Sequence, residues 1–354
     1  MNFLAKKLGK VSFVTVCALM APLSVALAAD LNALVWCDHS SPDFLKPFED
    51  ANGIKVNVKE FEGTGAGLAI IEQSQPGDWD VMVIDSIDVP RGVDRKLFAA
   101  LPEDQLPFSD LFAEVLMDAS TKIDGVRYAI TEKFGYNTIG YNKSKVDVGE
   151  MQSLAALTDP KYKGRIAIYD YYLPIIGMAA MSIGKKTAEL TDTDLPAIKE
   201  VLLKMKANAK AVTDVVASQT ALATGEADIL IGGGEWVTAG IAKENPDLDF
   251  SIPKEGAVLW SQSLAMFEQS KNKEMALKFI QYVMSPEGQA RLATSSCYWG
   301  MPSSTKAALD DSQKATLRFA EQSEYLKRSQ PYPAPSEALD KKMQDLWTEV
   351  LQAQ

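Results

Sequence analysis

The chain has 354 residues, with 36 basic and 47 acidic side chains and a net charge of −11. This negative charge repels nucleic acid, so no nucleic-acid partner is expected. The chain has a single histidine, His39, and lacks GxSxG, HExxH and paired-cysteine metal motifs. No catalytic residue, metal site or cofactor is therefore predicted. A secreted hydrolase that uses cleft carboxylates remains an alternative, because so many acids always offer pairs.

Residues 1–29 predict a signal peptide. Three early lysines form a positive region, residues 11–20 form an apolar core, and residues 26–28 form a small-residue cleavage site. The apolar run is too short for a membrane-spanning helix. Cleavage moves the net charge from −11 to −14, because three lysines and no acids are lost. An exported protein that is not embedded in the membrane is expected.

The mature chain predicts alternating strands and helices. Strands are predicted at 31–36, 54–61, 79–84, 165–169, 227–231, 250–253 and 257–267. Helices are predicted at 42–52, 66–73, 89–97, 175–183, 195–207, 218–224, 235–244, 273–284 and 286–295, followed by a polar helical tail. The order of strands and helices indicates an α/β fold whose parallel sheet carries helices on both faces.

A mature chain of about 325 residues exceeds one typical core and predicts two lobes. No linker separates them, so short strand-like joints such as residues 136–141 would connect the lobes. The expected boundaries are 1–29 for the signal peptide, 30–137 for lobe 1, 138–260 for lobe 2, 261–303 for a return to lobe 1, and 304–354 for a helical segment packing mainly on lobe 2. Ligands in such folds lie at the carboxyl ends of strands, in the cleft between lobes.

Aromatic, acidic and polar residues recur at the ends of these strands. The candidate ligand-binding residues are Trp36, Asp38, Asp85, Ser86, Tyr171, Glu235, Trp260, Gln262 and Trp299. Aromatic faces attract a cation, and carboxylates bind its N–H groups. Each residue alone could serve packing or helix capping, but their number at equivalent positions indicates a site for an organic cation.

Residues 250–267 contain a PKEG turn and a strand that places Trp260 and Gln262 on one face. This segment resembles the crossover strand of the extracytoplasmic solute-binding proteins of polyamine-type ABC importers. Trp36 and Asp38 match the aromatic-x-acid motif of that family, and Glu235 matches an acid that binds the amine. Residues 135–142 and 160–164 match its first interlobe strand and the turn before lobe 2.

The resemblance implies a two-lobed periplasmic-binding-protein fold of type II, with parallel-dominated sheets and a ligand in the interlobe cleft. It also implies a periplasmic monomer that closes about a hinge over a small-molecule ligand. The protein would deliver this ligand to the membrane permease subunits of an ABC importer.

Several positions depart from the family pattern. Gln262 replaces an acid, Gly232 replaces a tryptophan, Pro174 falls where an acid is expected, and Asp85 replaces a small hydroxylated residue. An amide cannot neutralise a second ammonium group, and an unpaired buried charge is costly. These departures predict that the ligand is a smaller or less charged amine. Zwitterionic, amino-acid-like and quaternary amines belong to this class. Spermidine and putrescine are expected to bind weakly, and Gln262→Asp should improve their binding.

Four questions remain open in the sequence. The glycine-rich turn at residues 63–67 precedes a helix and either forms a loop at the rim of the cleft or binds an organic anion. Cys37 and Cys297 either form a disulfide or stay reduced. Lys133 either meets a carboxylate or is exposed to solvent, and the role of His39 is undetermined.

Overall fold

The computed structural model describes residues 29–353, so all but the last residue of the predicted signal peptide lies outside the described residues. The strands are β1 (Leu31–Val35), β2 (Val56–Glu60), β3 (Val81–Asp85), β4 (Lys122–Ile123), β5 (Val126–Arg127), β6 (Ala129–Asn142), β7 (Ile166–Tyr169), β8 (Ala209–Thr213), β9 (Ile229–Gly233), β10 (Leu248–Ser251), β11 (Val258–Met266), β12 (Met301–Pro302) and β13 (Gln330–Pro331).

The helices alternate with these strands through both halves of the chain. They are α1 (Pro42–Asn52), α2 (Thr64–Glu72), α3 (Val89–Asp94), α4 (Asp118–Thr121), α5 (Tyr172–Ser182), α6 (Leu195–Asn208), α7 (Val215–Ala223), α8 (Glu235–Thr238), α9 (Lys273–Val283), α10 (Pro286–Ala293), α11 (Asp311–Thr316), α12 (Gln322–Arg328) and α13 (Glu337–Gln352).

The main sheet runs in the order β2-β1-β3-β11-β6-β9-β7-β8. Strands β2, β1 and β3 are parallel at one end, and β9, β7 and β8 are parallel at the other. The long strands β6 and β11 are antiparallel to their neighbours and lie between these two groups. The predicted α/β class is confirmed, with one parallel group in each lobe.

Strand β6 joins the lobes. Its first half pairs with β11, and its second half pairs with β9 and β10. It has 14 residues, all buried except the last, so it is longer than the joint predicted at 136–141. A strand that is buried on both faces does not alternate between apolar and polar residues. The first half of β6 could therefore not be predicted from its sequence pattern.

Each lobe has its own apolar core. In lobe 1, Phe44 and Phe48 of α1 pack edge-to-face against Phe279 of α9. In lobe 2, α5 is buried along most of its length, and α13 contacts α5 and α6 through its apolar face. Residues after 304 also belong to an apolar cluster that contains Phe112 and Phe134, both in the range predicted for lobe 1. The boundaries of the lobes therefore stay a prediction.

Several elements differ from prediction, and the differences in α8, α5 and β8 have clear causes. Helix α8 ends at Thr238 rather than at 244, and a short turn containing Gly240 follows. Helix α5 begins three residues before 175, because Pro174 fits the first turn of a helix. Strand β8 was not predicted, because its short, half-exposed sequence AKAVT lacks a clear apolar pattern.

Cys37 and Cys297 form a disulfide that links the end of β1 to the loop after α10. The bond closes a long loop, with a sequence separation of 260 residues. The double variant Cys37→Ser/Cys297→Ser should lose about 2–5 kcal/mol of unfolding free energy, measured by urea denaturation. Dithiothreitol should destabilise the parent by a similar amount and leave the double variant unchanged. An equal effect of the reductant on both would contradict this.

Among residues 29–353, no helix has both the length and the apolar character that a membrane span requires.

Candidate functional site

The cleft between the lobes contains a narrow inner cavity and a wide outer cleft. The inner cavity has a volume of about 80 Å³ and the outer cleft about 960 Å³. The inner cavity is lined by Trp36, Asp85, Asn137, Tyr169, Tyr171, Val215, Trp236, Trp260, Gln262, Tyr298 and Tyr332. Both lobes and the long strands β6 and β11 contribute to this wall, and seven of its eleven residues are aromatic.

The aromatic residues hold one another edge-to-face. The ring centroids of Tyr169 and Trp236 are 5.6 Å apart, and those of Tyr171 and Tyr332 are also 5.6 Å apart. Trp260 meets Tyr298 at 6.2 Å with an interplanar angle of 80°. Such contacts fix ring orientation beyond simple apolar packing. The cavity is therefore a set of oriented aromatic faces that suits a cationic group.

Asp85 is the one carboxyl group in the inner wall. It ends β3, its side chain is buried, and it forms no salt bridge among the described residues. Burial, with a smaller contribution from the charge of Asp88, raises the pKa of Asp85 to about 7. The buried Thr64 hydroxyl lies beside this carboxyl and lowers the pKa in part, although its geometry falls outside that of a formed hydrogen bond. A cation bound here would supply the missing counter-charge.

Several polar atoms of the wall have no partner. Gln262 lies opposite Asp85 in the sheet, and its Nε2 donates to the Tyr298 hydroxyl at 2.6 Å. Its Oε1 is buried without a hydrogen bond in residues 29–353, as are the indole nitrogens of Trp36 and Trp236. Buried polar groups are normally paired, so these atoms are available to hydrogen-bond a ligand or a water molecule in the cavity.

Asp38 does not line the cavity. It is fully buried between His39 Nδ1 and Lys133 Nζ, each 2.8 Å from a carboxylate oxygen. Burial disfavours its ionised form, but the charges of His39 and Lys133 outweigh burial and hold the pKa of Asp38 well below its usual range. The opposite nitrogen of His39 lies 2.8 Å from Glu132, outside hydrogen-bond geometry.

The buried charges also shift the partners of Asp38. Burial alone would lower the pKa of His39, but Asp38 and Glu132 raise it to about 10. The Asp38 carboxylate is therefore neutralised within the protein. The open question about Lys133 is answered: it meets a carboxylate and is not exposed.

Three other candidates also lie away from the inner wall. Glu235 is buried, accepts a hydrogen bond from the Tyr136 N–H at 3.2 Å, and has its pKa raised by burial to about 8. The Ser86 hydroxyl pairs with Ser263 Oγ at 2.7 Å. Trp299 is half-buried against Gly240. The structure thus brings together Trp36, Asp85, Tyr171, Trp260 and Gln262, but not Asp38, Ser86, Glu235 or Trp299.

Four aromatic residues of the inner wall were not among the predicted site residues. Tyr169 and Trp236 stand at strand ends beside predicted residues, so the same strand-end signal could have found them. Tyr298 follows Cys297, and Tyr332 lies in the tail, where no pattern marked a site. Tyr332 donates to Asn137 Oδ1 at 2.8 Å and thereby brings the tail to the hinge strand β6.

The outer cleft has a negative surface. Its wall carries six carboxylates, Glu62, Asp88, Asp170, Asp214, Glu337 and Asp340, against the two guanidinium groups of Arg91 and Arg95. Arg91 is paired with Asp88 and Arg95 with Glu72. A negatively charged outer cleft favours the approach of cations and disfavours that of anions. Gly63, Thr64 and Gly65 lie on the same wall.

Gly135 of β6 allows the close approach of Trp260. A Cβ atom at this position would lie 2.4 Å from Trp260 Cζ2 and 1.9 Å from Glu235 Oε1. Gly135→Ala should therefore displace the Trp260 ring, lowering the unfolding free energy by about 1–3 kcal/mol. Urea denaturation checks this, with Gly65→Ala as the control, because nothing lies within 4 Å of a Cβ there. Equal stability of the two variants would contradict the expectation.

Comparison with known proteins identifies the family. The model of the family described as bacterial extracellular solute-binding protein matches residues 43–320. The spermidine/putrescine-binding periplasmic protein of Escherichia coli is 27% identical over 287 residues, which are 79% of this chain and 81% of that protein. The putrescine/agmatine-binding protein of Pseudomonas aeruginosa is 24% identical over 320 residues, covering 83% of each.

A solved structure shares the fold. The spermidine/putrescine ABC transporter substrate-binding protein of Streptococcus pneumoniae superposes with a TM-score of 0.77 at 20% identity, covering 92% of this chain and 99% of that one. This confirms the two-lobed fold. The relatives are binding proteins rather than enzymes, and their periplasmic location confirms the predicted one. Because the family match spans most of its length, the chain belongs to the bacterial extracellular solute-binding protein family.

Proposed function

We propose that this protein binds a small solute with one cationic nitrogen, zwitterions included, in the inner cavity and delivers it to the permease of an ABC importer. The observation that carries this proposal is Asp85, the single carboxyl group in a wall of seven aromatic side chains. The curated relatives are named for amines, which supports an amine here.

The wall matches one positive charge rather than two. Asp85 can neutralise one cation, and the surrounding rings attract it through their faces. Gln262 can hydrogen-bond a second group but cannot neutralise a second ammonium. The inner cavity is small, with a volume of about 80 Å³, so only a small solute or the head of a longer one fits. The unpaired indole nitrogens of Trp36 and Trp236 would suit an acceptor such as a carboxylate on the same ligand.

Hinge closure is the proposed mechanism. Strands β6 and β11 join the lobes, and the inner wall takes Trp36 and Asp85 from one lobe and Tyr171 and Trp236 from the other. A ligand that contacts both lobes stabilises the closed state over the open one. The lobe boundaries expected from sequence are proposed with this mechanism.

Binding of an organic anion by residues 63–67 is a second candidate. The Thr64 Oγ1 at the beginning of α2 favours it, because this atom is buried and has no hydrogen-bond partner within residues 29–353. The acidic outer cleft and the nearby Asp85 oppose it, so we rank it below the cation.

A thermal-shift screen followed by calorimetry tests the proposal. The panel comprises choline, glycine betaine, γ-aminobutyrate, putrescine, spermidine and succinate. We expect a monocation or zwitterion to raise the melting temperature most and to bind tightest, with spermidine and putrescine weaker. Tightest binding of succinate would contradict the proposal. Sub-micromolar binding of spermidine or putrescine would show that other acids supply the second counter-charge.

The pKa of Asp85 gives a pH dependence. Because its pKa is about 7, the carboxyl is largely protonated and uncharged below that pH. The affinity for a quaternary ammonium ligand, whose own charge is fixed, should fall by about tenfold for each pH unit below 7 and level off above 8. Calorimetry between pH 5 and 9 measures this, and Asp85→Asn should abolish the slope. A parent affinity independent of pH would contradict the assignment of Asp85.

A further inference from the structure

We propose that Lys133 determines specificity by filling, with its own ammonium group, a second amine subsite behind the inner cavity. This inference deepens the proposed function and rests on it for the identity of the primary ligand. The subsite itself is defined by contacts within the protein.

The Lys133 ammonium has the surroundings expected of a bound amine. Its Nζ lies 2.8 Å from Asp38 Oδ2 and donates to the Tyr298 carbonyl at 3.1 Å. It also lies 4.1 Å from the centroid of the Tyr298 ring. A carboxylate, a carbonyl and an aromatic face together satisfy a desolvated ammonium. The Lys133 and Asp38 side chains are both completely buried.

The subsite shares walls with the inner cavity. Tyr298 contacts the Lys133 ammonium with its ring and carbonyl, while its hydroxyl accepts a hydrogen bond from Gln262. Gly300 brings the lysine stem close to Trp260, because a Cβ at Gly300 would lie 2.5 Å from Lys133 Cε and 2.9 Å from Trp260 Cη2. Tyr298, Gln262 and Trp260 all line the inner cavity. The two compartments are therefore adjacent.

The charges of the cluster depend on Lys133. Asp38 contacts both His39 and Lys133, and His39 also lies beside Glu132. Two acids thus face two bases in a fully buried group. Without Lys133 the Asp38 carboxylate loses one of its two cationic partners, and an empty space the length of the lysine stem remains beside it. An external ammonium could occupy that space, whereas in the parent protein it is excluded by the side chain.

Chemical rescue tests the subsite. In Lys133→Ala, n-propylammonium has the length of the missing side chain. It should raise the melting temperature of this variant by about 3 °C more than that of Lys133→Met at the same concentration. Methionine fills the stem space and leaves the inner cavity intact, so any binding in that cavity is common to both variants. The neutral isostere n-propanol should show no such difference.

Equal shifts of Lys133→Ala, Lys133→Met and the parent with n-propylammonium would overturn the proposal and leave Lys133 with a structural role only. If Lys133→Ala does not fold alone, it is refolded with n-propylammonium or with n-propanol. Recovery with the ammonium alone supports the subsite, and recovery with neither overturns it.

The specificity role has a separate measurement. Calorimetry with putrescine should show about tenfold tighter binding to Lys133→Ala than to Lys133→Met, because the released subsite accepts the second ammonium. If n-propylammonium rescues Lys133→Ala but putrescine does not bind this variant more tightly, the specificity role is overturned and the amine subsite stands. If the parent binds no small cation but rescue occurs, the proposed function fails and the subsite stands.

Discussion

Asp85→Asn is expected to weaken binding of the monocationic or zwitterionic ligand by about 2–5 kcal/mol. Asparagine keeps the shape of the side chain but removes the one carboxyl of the inner wall. The cation would then be desolvated among aromatic rings without a counter-charge. Titration calorimetry measures the loss. Unfolding by urea should show a stable variant, because the parent carboxyl pays a desolvation cost that raises its pKa to about 7.

Asp88→Asn is the matched control. Asp88 lies three residues from Asp85, on the wall of the outer cleft, and is paired with Arg91. Its replacement removes the same charge at a position that does not line the inner cavity. The Asp88 charge helps to raise the pKa of Asp85, so its loss favours the ionised form of Asp85 and should not weaken a site there. We expect the binding free energy to change by less than about 1 kcal/mol, as for an exposed ion pair. Equal losses in the two variants would indicate general attraction by the acidic cleft rather than a site at Asp85.

Trp260→Ala should weaken ligand binding by about 1–3 kcal/mol, the range for losing a desolvated aromatic contact. Trp260 is only 8% exposed and lies in β11, beside the cavity and against Tyr298. Trp260→Phe keeps an aromatic face and should retain part of the affinity. Calorimetry compares the three proteins at one pH.

Trp79→Ala is the control for removing a tryptophan. Trp79 is half-buried, lines a separate surface pocket and donates to the Ser74 hydroxyl at 2.8 Å. Its loss should leave ligand affinity unchanged. If Trp260→Ala binds the ligand with normal affinity, the aromatic wall is not part of the binding site.

The regular elements could be predicted because their patterns are local. Helix α1 has the predicted bounds, and its end follows from Gly53, which adopts a φ of 65°. The face of β11 that carries Trp260 and Gln262 was also predicted, because side chains alternate along a strand. Both residues line the inner cavity.

The identity of the acid in the wall needed the tertiary structure. Asp38 and Asp85 both follow strands of lobe 1, and sequence alone gives them equal roles. Only the fold brings Lys133, distant along the chain, to within 2.8 Å of Asp38, whereas Asp85 has no cationic partner in the described part of the chain. Glu235 was likewise placed at the correct strand end, but its carboxylate accepts a hydrogen bond from the Tyr136 N–H and does not line the inner cavity.

A crystal structure of the protein with the tightest-binding ligand of the screen tests the site at Asp85 most directly. We expect the cationic nitrogen in the inner cavity, in contact with the Asp85 carboxylate and the faces of Trp36 and Trp260. Density for the ligand at residues 63–65 of the outer cleft, with no contact to Asp85, would contradict it.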